Sequence, residues 1–277
     1  MASLGKILKR AGRYIIKGVP VVKAEISYIS PNSILEDRVI LITGGTKGIG
    51  KAIAETSVKE GAKVIISGRS KETCESVAQE LGCSYIQCDI SDVNNLKGIF
   101  EKAESVIGKP INSLVSNAGV SLHEGGFEYV TEETWDIQMN TNLKAGYFLC
   151  QEFISYAKSK SIEKVSILVV TSERARRPDE IPYGLTKVAS DSYIRAFASA
   201  LIQDGIRING IAPGITVTDM TNRGKDGNLV NPKQKGGRLF LPEEVAEVAK
   251  FLLSDAAGCI SGEVIACNQG NHISTWF

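Results

Sequence analysis

Val39-Ile40-Leu41-Ile42-Thr43-Gly44-Gly45-Thr46-Lys47-Gly48-Ile49-Gly50, followed by Lys51-Ala52-Ile53-Ala54, is the stretch that decides the fold. An apolar run short enough for one buried strand breaks into glycines, after which Ile49, Ile53 and Ala54 fall on one helical face. The pattern predicts strand, tight turn and helix. Glycines let a ligand approach the backbone closely, and the amides at the helix start then face it, an arrangement that suits a phosphate or pyrophosphate. A Walker-type loop fits from Gly45 to Lys51 but fails at Ala52, which has no hydroxyl for magnesium. The Gly-x-Gly-x-x-Gly fingerprint fails as well, because Ile53 stands where its last glycine should be.

What does match is Thr-Gly-x-x-x-Gly-x-Gly at Thr43, Gly44, Gly48 and Gly50, which resembles the short-chain dehydrogenase/reductase family. The resemblance implies that Gly44, Thr46, Lys47, Gly48, Ile49 and Gly50 contact a nicotinamide dinucleotide. Working outward, Lys63 to Ser67 reads as a second strand ending at Gly68-Arg69-Ser70. An acid at this strand end takes the adenosine ribose hydroxyls of NAD, whereas an arginine accommodates the 2′-phosphate of NADP. Arg69, with Ser70 beside it and Lys47 in the glycine loop, therefore favours NADP(H), as two cations attract the extra phosphate. Ser84 to Cys88 reads as a third strand, and the family places the Asp89-Ile90 that follows near the adenine; helix capping is the alternative for Asp89. The strand Ser113 to Ser116 runs into Asn117-Ala118-Gly119, a family hallmark. There the side chain ties adjacent strands and the glycine leaves room for the cofactor ribose. Strands alternating with helices predict an α/β fold, a doubly wound Rossmann-type seven-stranded parallel sheet with its ligand crevice at the strand carboxyl ends.

A long helix is predicted from Thr131 to about Lys158. Within it Met139-Asn140-Thr141-Asn142-Leu143 resembles the family segment whose second Asn kinks the helix and holds a relay water; a structural hydrogen bond is the other role for Asn142. The strand Val165 to Val170 ends at Thr171-Ser172, and Tyr183-Gly184-Leu185-Thr186-Lys187 follows. Tyrosine and lysine four apart share a helix face, so the ammonium is expected to lower the phenol pKa for proton donation to a carbonyl. By resemblance, Ser172 polarises the substrate oxygen, Tyr183 is the acid or base, Lys187 also holds the nicotinamide ribose, and Asn142 completes the four. The ten residues between Ser172 and Tyr183 are fewer than the family usually has, which leaves Thr171 as the alternative to Ser172. Arg174, Arg176 and Arg177 in that loop point either to an anionic group on the substrate or its carrier, or to internal pairing with Glu173, Asp179 and Glu180. Pro213, Gly214, Ile215 and Thr218 resemble the element that contacts the nicotinamide carboxamide. The last strand is read at Ile260 to Ile265, ending at Asn268-Gln269-Gly270. The family has Asp-Gly-Gly there, a change expected to affect subunit packing.

The 277 residues suffice for one domain over 35–277, preceded by an extension over 1–34. In that extension Leu4, Ile7, Leu8, Ala11 and Ile15 follow helical spacing opposite Lys6, Lys9, Arg10, Arg13 and Lys17. Such a basic amphipathic helix can contact a membrane surface, another subunit or its own domain. A net charge of +1 gives no field for nucleic acid. Six cysteines without Cys-x-x-Cys pairing read as reduced thiols in a cytoplasmic protein, and two histidines argue against a His-based triad or metal centre. The resemblance implies a homo-oligomer built through the two long helices. It also implies a carbonyl or secondary-alcohol substrate, with 3-oxoacyl carrier-protein reductases as the likeness. A sugar, nucleotide-sugar or polyol reductase is the alternative, and a non-catalytic cofactor-binding regulator the second.

Overall fold

The computed structural model describes residues 33–224, 228–232 and 234–273; the basic helix read before residue 35 lies outside them. Among the described residues seven strands form one parallel sheet: β1 (Val39–Thr43), β2 (Lys63–Gly68), β3 (Ser84–Gln87), β4 (Ser113–Ser116), β5 (Ser166–Val170), β6 (Arg207–Pro213) and β7 (Val264–Cys267), in the order β3-β2-β1-β4-β5-β6-β7. β1 pairs with β2 on one side and β4 on the other, so the chain reverses its winding beside β1. A crevice opens at the carboxyl ends of the strands at such a switch point.

Every residue of β1 is buried, as a strand covered on both faces requires. Its side chains divide by alternation. Val39 and Leu41 join the core that holds Phe100, Phe153 and Tyr156, whereas Ile40 and Ile42 join the core with Ile53, Val77 and Leu252. The first core lies under α3 (Ile99–Ile107), α5 (Ala145–Ser159) and α6 (Pro182–Leu201). The second lies under α1 (Gly48–Lys59), α2 (Lys71–Leu81) and α7 (Pro242–Leu253). The rings of Phe100, Phe153 and Tyr156 fill the first, Phe100 and Phe153 tilted with centres 4.8 Å apart and Tyr156 stacked on both.

Two segments differ from the expectation. The long helix after Thr131 comes in three continuous pieces: α4 (Glu132–Gln138), a π-helical stretch over Met139–Lys144, and α5. The widened turns are where Asn142 leaves the helix face to bond the backbone of Val120, a side-chain intrusion of the kind that interrupts a regular ladder. The last strand starts at Val264 and not at Ile260. Gly262 and Glu263 donate their amides to the Ile208 carbonyl and the Asn209 side chain, so the approach is a turn fastened to β6.

Candidate active site

The glycine loop closes the crevice at one end. α1 begins at Gly48 without a side-chain cap, since Lys47 precedes it in extended conformation and makes no capping bond. The first amides of that helix therefore stay available to an anion. A Cβ on Gly50 would stand 2.3 Å from the Gly44 carbonyl oxygen and 2.4 Å from Asn117 Nδ2, so only glycine lets α1 seat against β4. Asn117 braces the same corner, its amide donating to the carbonyls of Thr43 (2.9 Å) and Gly44 (3.0 Å). Thr43 returns the brace: its hydroxyl oxygen receives the Asn117 and Ala118 amides at 3.1 and 3.3 Å. The strand-tying role read for Asn117 is thus visible, and Thr43 is a second member that only the pairing of β1 with β4 exposes.

The crevice encloses about 780 Å³ and runs from this loop across the ends of β2, β4, β5 and β6. Gly44, Thr46, Lys47, Gly48, Ile49, Gly50, Arg69, Asp89, Ile90, Asn117, Ala118, Gly119, Ser172, Tyr183, Lys187, Pro213, Gly214 and Thr218 all lie on its wall. Three expected residues do not. The Ser70 hydroxyl caps α2, receiving the Thr73 amide at 3.1 Å and donating to Glu72 at 2.9 Å. Ile215 turns off the wall, and its carbonyl receives the Phe240 amide at 3.0 Å. Asn142 is buried behind the wall, where its side chain accepts from the Val120 amide at 2.7 Å and donates to the Val120 carbonyl at 2.8 Å. A Cβ on Gly119 would stand 3.1 Å from Asn142 Oδ1 and 3.8 Å from Lys187 Nζ, which places those two groups around one spot.

At the end of β2 no carboxylate follows Gly68; Arg69 is exposed there. Lys47 is less free for a phosphate than its position in the loop suggests, because its Nζ lies 3.8 Å from Asp219. Asp89 engages Ser91, whose amide and hydroxyl approach its Oδ1 at 3.0 and 2.7 Å. The segment after β6 is fastened on both rims, by Asp219 to Lys47 and by the Met220 carbonyl to His123 Nε2 at 2.6 Å.

The opposite end carries the reacting groups. Pro182 fits the first turn of α6, which puts Tyr183 at the helix start and Lys187 one turn on, with the Lys187 ammonium 5.5 Å from the Tyr183 ring centre. Lys187 is buried and donates to the Val170 carbonyl at 3.1 Å; burial pulls its pKa down to about 8. The Ser172 side chain is close enough to Tyr183 to act on its phenol, whereas the Thr171 hydroxyl donates to the Ile211 carbonyl at 3.2 Å. Ser172 and not Thr171 is therefore the hydroxyl beside the phenol. The expected lowering of the phenol pKa does not occur in the protein alone. Loss of water around the phenol raises it, outweighing the influence of Ser172 and the nearby Arg174 charge. A phenol so placed keeps its proton, which is the form that can donate to a carbonyl oxygen.

The arginine loop resolves mainly into internal pairs. Arg174 forks onto Asp179, and Arg176 lies 3.6 Å from Asp191 while donating to the Val264 carbonyl; Arg177 is exposed, and none of the three lies on the crevice wall. Asn268 is likewise engaged within the chain, with Glu173 and His272. The sequence reading also left out Ser67 and Thr216, which the rule that strand carboxyl ends face the ligand would have found, and Glu133, Asp136, Ile137 and Asn140. The last four share one face running from α4 into the π-helical stretch, and nothing local distinguishes that face from a solvated one.

The comparisons with known proteins agree with this geometry. A family model described as "Enoyl-(Acyl carrier protein) reductase" matches residues 44–272. The chain is 32% identical over 249 residues to the 3-oxoacyl-[acyl-carrier-protein] reductase FabG of Chlamydia muridarum, covering 86% of this chain and 99% of that protein. It is 32% identical over 246 residues to the FabG of Thermotoga maritima, covering 85% and 98%. Among solved structures, the 3-ketoacyl-(acyl-carrier-protein) reductase of Brucella melitensis complexed with NADH superposes with a TM-score of 0.78 at 31% identity, over 86% of this chain and 99% of that one. By the family model and by these relatives, the chain belongs to the short-chain dehydrogenase/reductase family, whose members are oxidoreductases.

Proposed function

We propose that this protein reduces a ketone, or oxidises the matching secondary alcohol, with NADP(H) as cofactor, and that 3-oxoacyl thioesters are the substrate class. The observation that carries the reading is the gathering of Ser172, Tyr183 and buried Lys187 on the wall that continues into the glycine loop, with the Lys187 ammonium 5.5 Å from the Tyr183 ring centre. That loop fits a dinucleotide: the uncapped start of α1 offers amides to a pyrophosphate, and a side chain at Gly50 would fill the space the loop needs. Gly119, with Asn142 and Lys187 around it, fits the nicotinamide ribose. A bound nicotinamide supplies or accepts the hydride.

The chain's own residues handle the proton and the oxygen. Ser172 orients the carbonyl oxygen through its hydroxyl, and Tyr183, protonated in its desolvated setting, donates to that oxygen as charge develops. Lys187, held by the Val170 carbonyl, supplies positive charge beside the phenolate left behind. Asn142 fixes the loop after β4 through Val120 and keeps the crevice wall in register.

Arg69 supports NADP(H) over NAD(H), since it is the exposed cation at the end of β2 and no acid stands there; the Brucella relative was solved with NADH, so the two cofactors have to be compared directly. The test is steady-state reduction of an acetoacetyl thioester. Tyr183→Phe should lower kcat by about 10²- to 10⁴-fold while NADPH binding persists, and unchanged turnover refutes the roles. NADPH should exceed NADH in kcat/KM, and Arg69→Ala should reduce that ratio by about 10- to 100-fold, the size of one charged hydrogen-bonding contact. Equal use of NADH by the unaltered protein refutes the cofactor assignment. We also infer self-association through α5 and α6, whose outer faces expose Tyr147, Phe148, Leu185 and Val188.

A further inference from the structure

Glu173 follows Ser172 directly, yet its side chain points inward and the residue is only 7% exposed. Three carboxamides receive it. Gln234 Nε2 donates to Oε1 at 3.3 Å, and Asn268 Nδ2 and Asn271 Nδ2 donate to Oε2 at 2.9 and 3.0 Å. Gln234 and Asn268 are themselves buried, and the Asn268 oxygen meets His272 Nδ1 at 2.9 Å. The two neighbouring arginines turn to other partners, Arg174 to Asp179 and Arg176 to Asp191. A carboxylate this deep is costly unless its oxygens are satisfied, and here amide donors do it.

The carboxylate thus joins three segments: the turn after β5, the stretch from Gln234 to Phe240, and the turn after β7. The second bears on the crevice as well. Phe240 pairs with Ile215 and Val217, and its ring lies where a Cβ of Gly214 would stand, 2.7 Å from Cε2. Ser172 sits one peptide away, with its Oγ receiving the Arg174 amide at 3.3 Å across Glu173. Any shift of the Glu173 backbone therefore turns the Ser172 hydroxyl relative to Tyr183.

We infer that Glu173 is a positioning residue for the reaction: its carboxylate, gripped by Gln234, Asn268 and Asn271, holds the Ser172 backbone so that its side chain stays on the crevice wall with Tyr183, and couples that placement to the segment flanking the crevice. This rests on the oxidoreductase reading given above. The donor and acceptor roles also explain why residue 268 is an amide: an aspartate there would bring two carboxylates within 2.9 Å.

Three variants decide it. Glu173→Gln keeps the size but turns an amide toward amide donors; Asn268→Asp sets two acids together; the double variant Glu173→Gln with Asn268→Asp restores one acid and one amide with roles exchanged. With NADPH and an acetoacetyl thioester, Glu173→Gln should lower kcat on the order of 10- to 10²-fold, as expected for a misplaced hydroxyl. KM for NADPH should stay within about twofold, because the loss is confined to the chemical step. The double variant should recover to within about threefold of the unaltered protein, the signature of a direct pair. Hydrogen exchange at 172–176, 234–240 and 268–272 should quicken in each single variant and slow again in the double. A lower melting temperature with unchanged kcat in Glu173→Gln, or no recovery in the double variant, overturns the inference. Should Glu173→Gln not fold, Glu173→Asp takes its place: a fall in kcat at constant NADPH affinity supports the inference, and unchanged kcat overturns it. Absence of turnover in the unaltered protein defeats the proposed function instead, and the exchange data alone then decide whether Glu173 holds Ser172.

Discussion

At the scale of single residues the informative group is Lys187, whose proton affinity is set by burial and not by its neighbour four residues back. Its folded pKa of about 8 lies below the 10.5 of an exposed lysine, with desolvation lowering it and Asp191 only partly compensating. Between those values the unfolded chain binds a proton that the folded chain does not, so stability from this group rises with pH across the window. Below it the cost of burying the ammonium is present in full. Without cofactor, urea titrations from pH 7.5 to 10 should show the protein gaining stability relative to Lys187→Met, by at most about 3 kcal/mol. A pH-independent difference refutes the assignment. The Tyr-x-x-x-Lys spacing was legible because helix geometry alone brings residues four apart together. The proton affinities were not, since they depend on how much water β5 and α6 exclude, and the sequence does not display that. Of the two readings open for the arginine loop, internal pairing was legible for Arg174, since Asp179 lies within the same loop, but the partner of Arg176 was not, since Asp191 belongs to a helix that only the fold brings alongside.

At the scale of elements, β1, β2, β4 and β5 were readable within a residue or so because each strand is a short apolar run with a glycine or polar stop. The π-helical turns over Met139–Lys144 were not. Their cause is the Val120 backbone, 22 residues away, and the local pattern remains that of an ordinary amphipathic helix. The glycine loop allows a sharper test, because its glycines serve different ends. Gly50→Ala places a methyl against the Gly44 carbonyl and the braced Asn117 amide, neither of which can retreat without opening the corner between β1 and β4. It should cost about 1–3 kcal/mol of stability, as overpacking does, and weaken NADPH binding strongly. Gly82→Ala, at the end of α2, meets nothing within 4 Å but must hold φ near +66°. That variant should lose about 1–2 kcal/mol while binding NADPH unchanged. Calorimetry with fluorescence titration separates the two, and equal loss of binding in both variants refutes the loop's role.

At the scale of the whole molecule, the sheet places chemistry at one end and, among the described residues, leaves two helix faces exposed at the side. Contacts that cross this scale were the least legible: Glu173 and Asn268 are 95 residues apart and meet only because β5 and β7 both end at the same edge of the sheet. The side faces belong to α5 and α6, joined at their ends by a Lys158–Asp204 ion pair of 2.6 Å and by the packing of Tyr147 on Tyr193 and Phe197. Tyr147, Phe148, Leu185 and Val188 are exposed there, and such clustered apolar side chains on both helices suit the self-association proposed above. A two-fold axis would let the same surface meet itself, α5 and α6 of one copy against those of another. Phe148→Glu combined with Val188→Glu should shift the light-scattering mass at micromolar concentration to that of one chain, with the circular dichroism spectrum kept. Val188 is the residue after Lys187, and Leu185 lies between Tyr183 and Lys187, so the covered face and the reacting face are two sides of one helix. The separated variant should therefore lose kcat as well as mass, because α6 without its cover holds the phenol less firmly. A single-chain mass for the unaltered protein, or full activity in the separated variant, decides against that coupling.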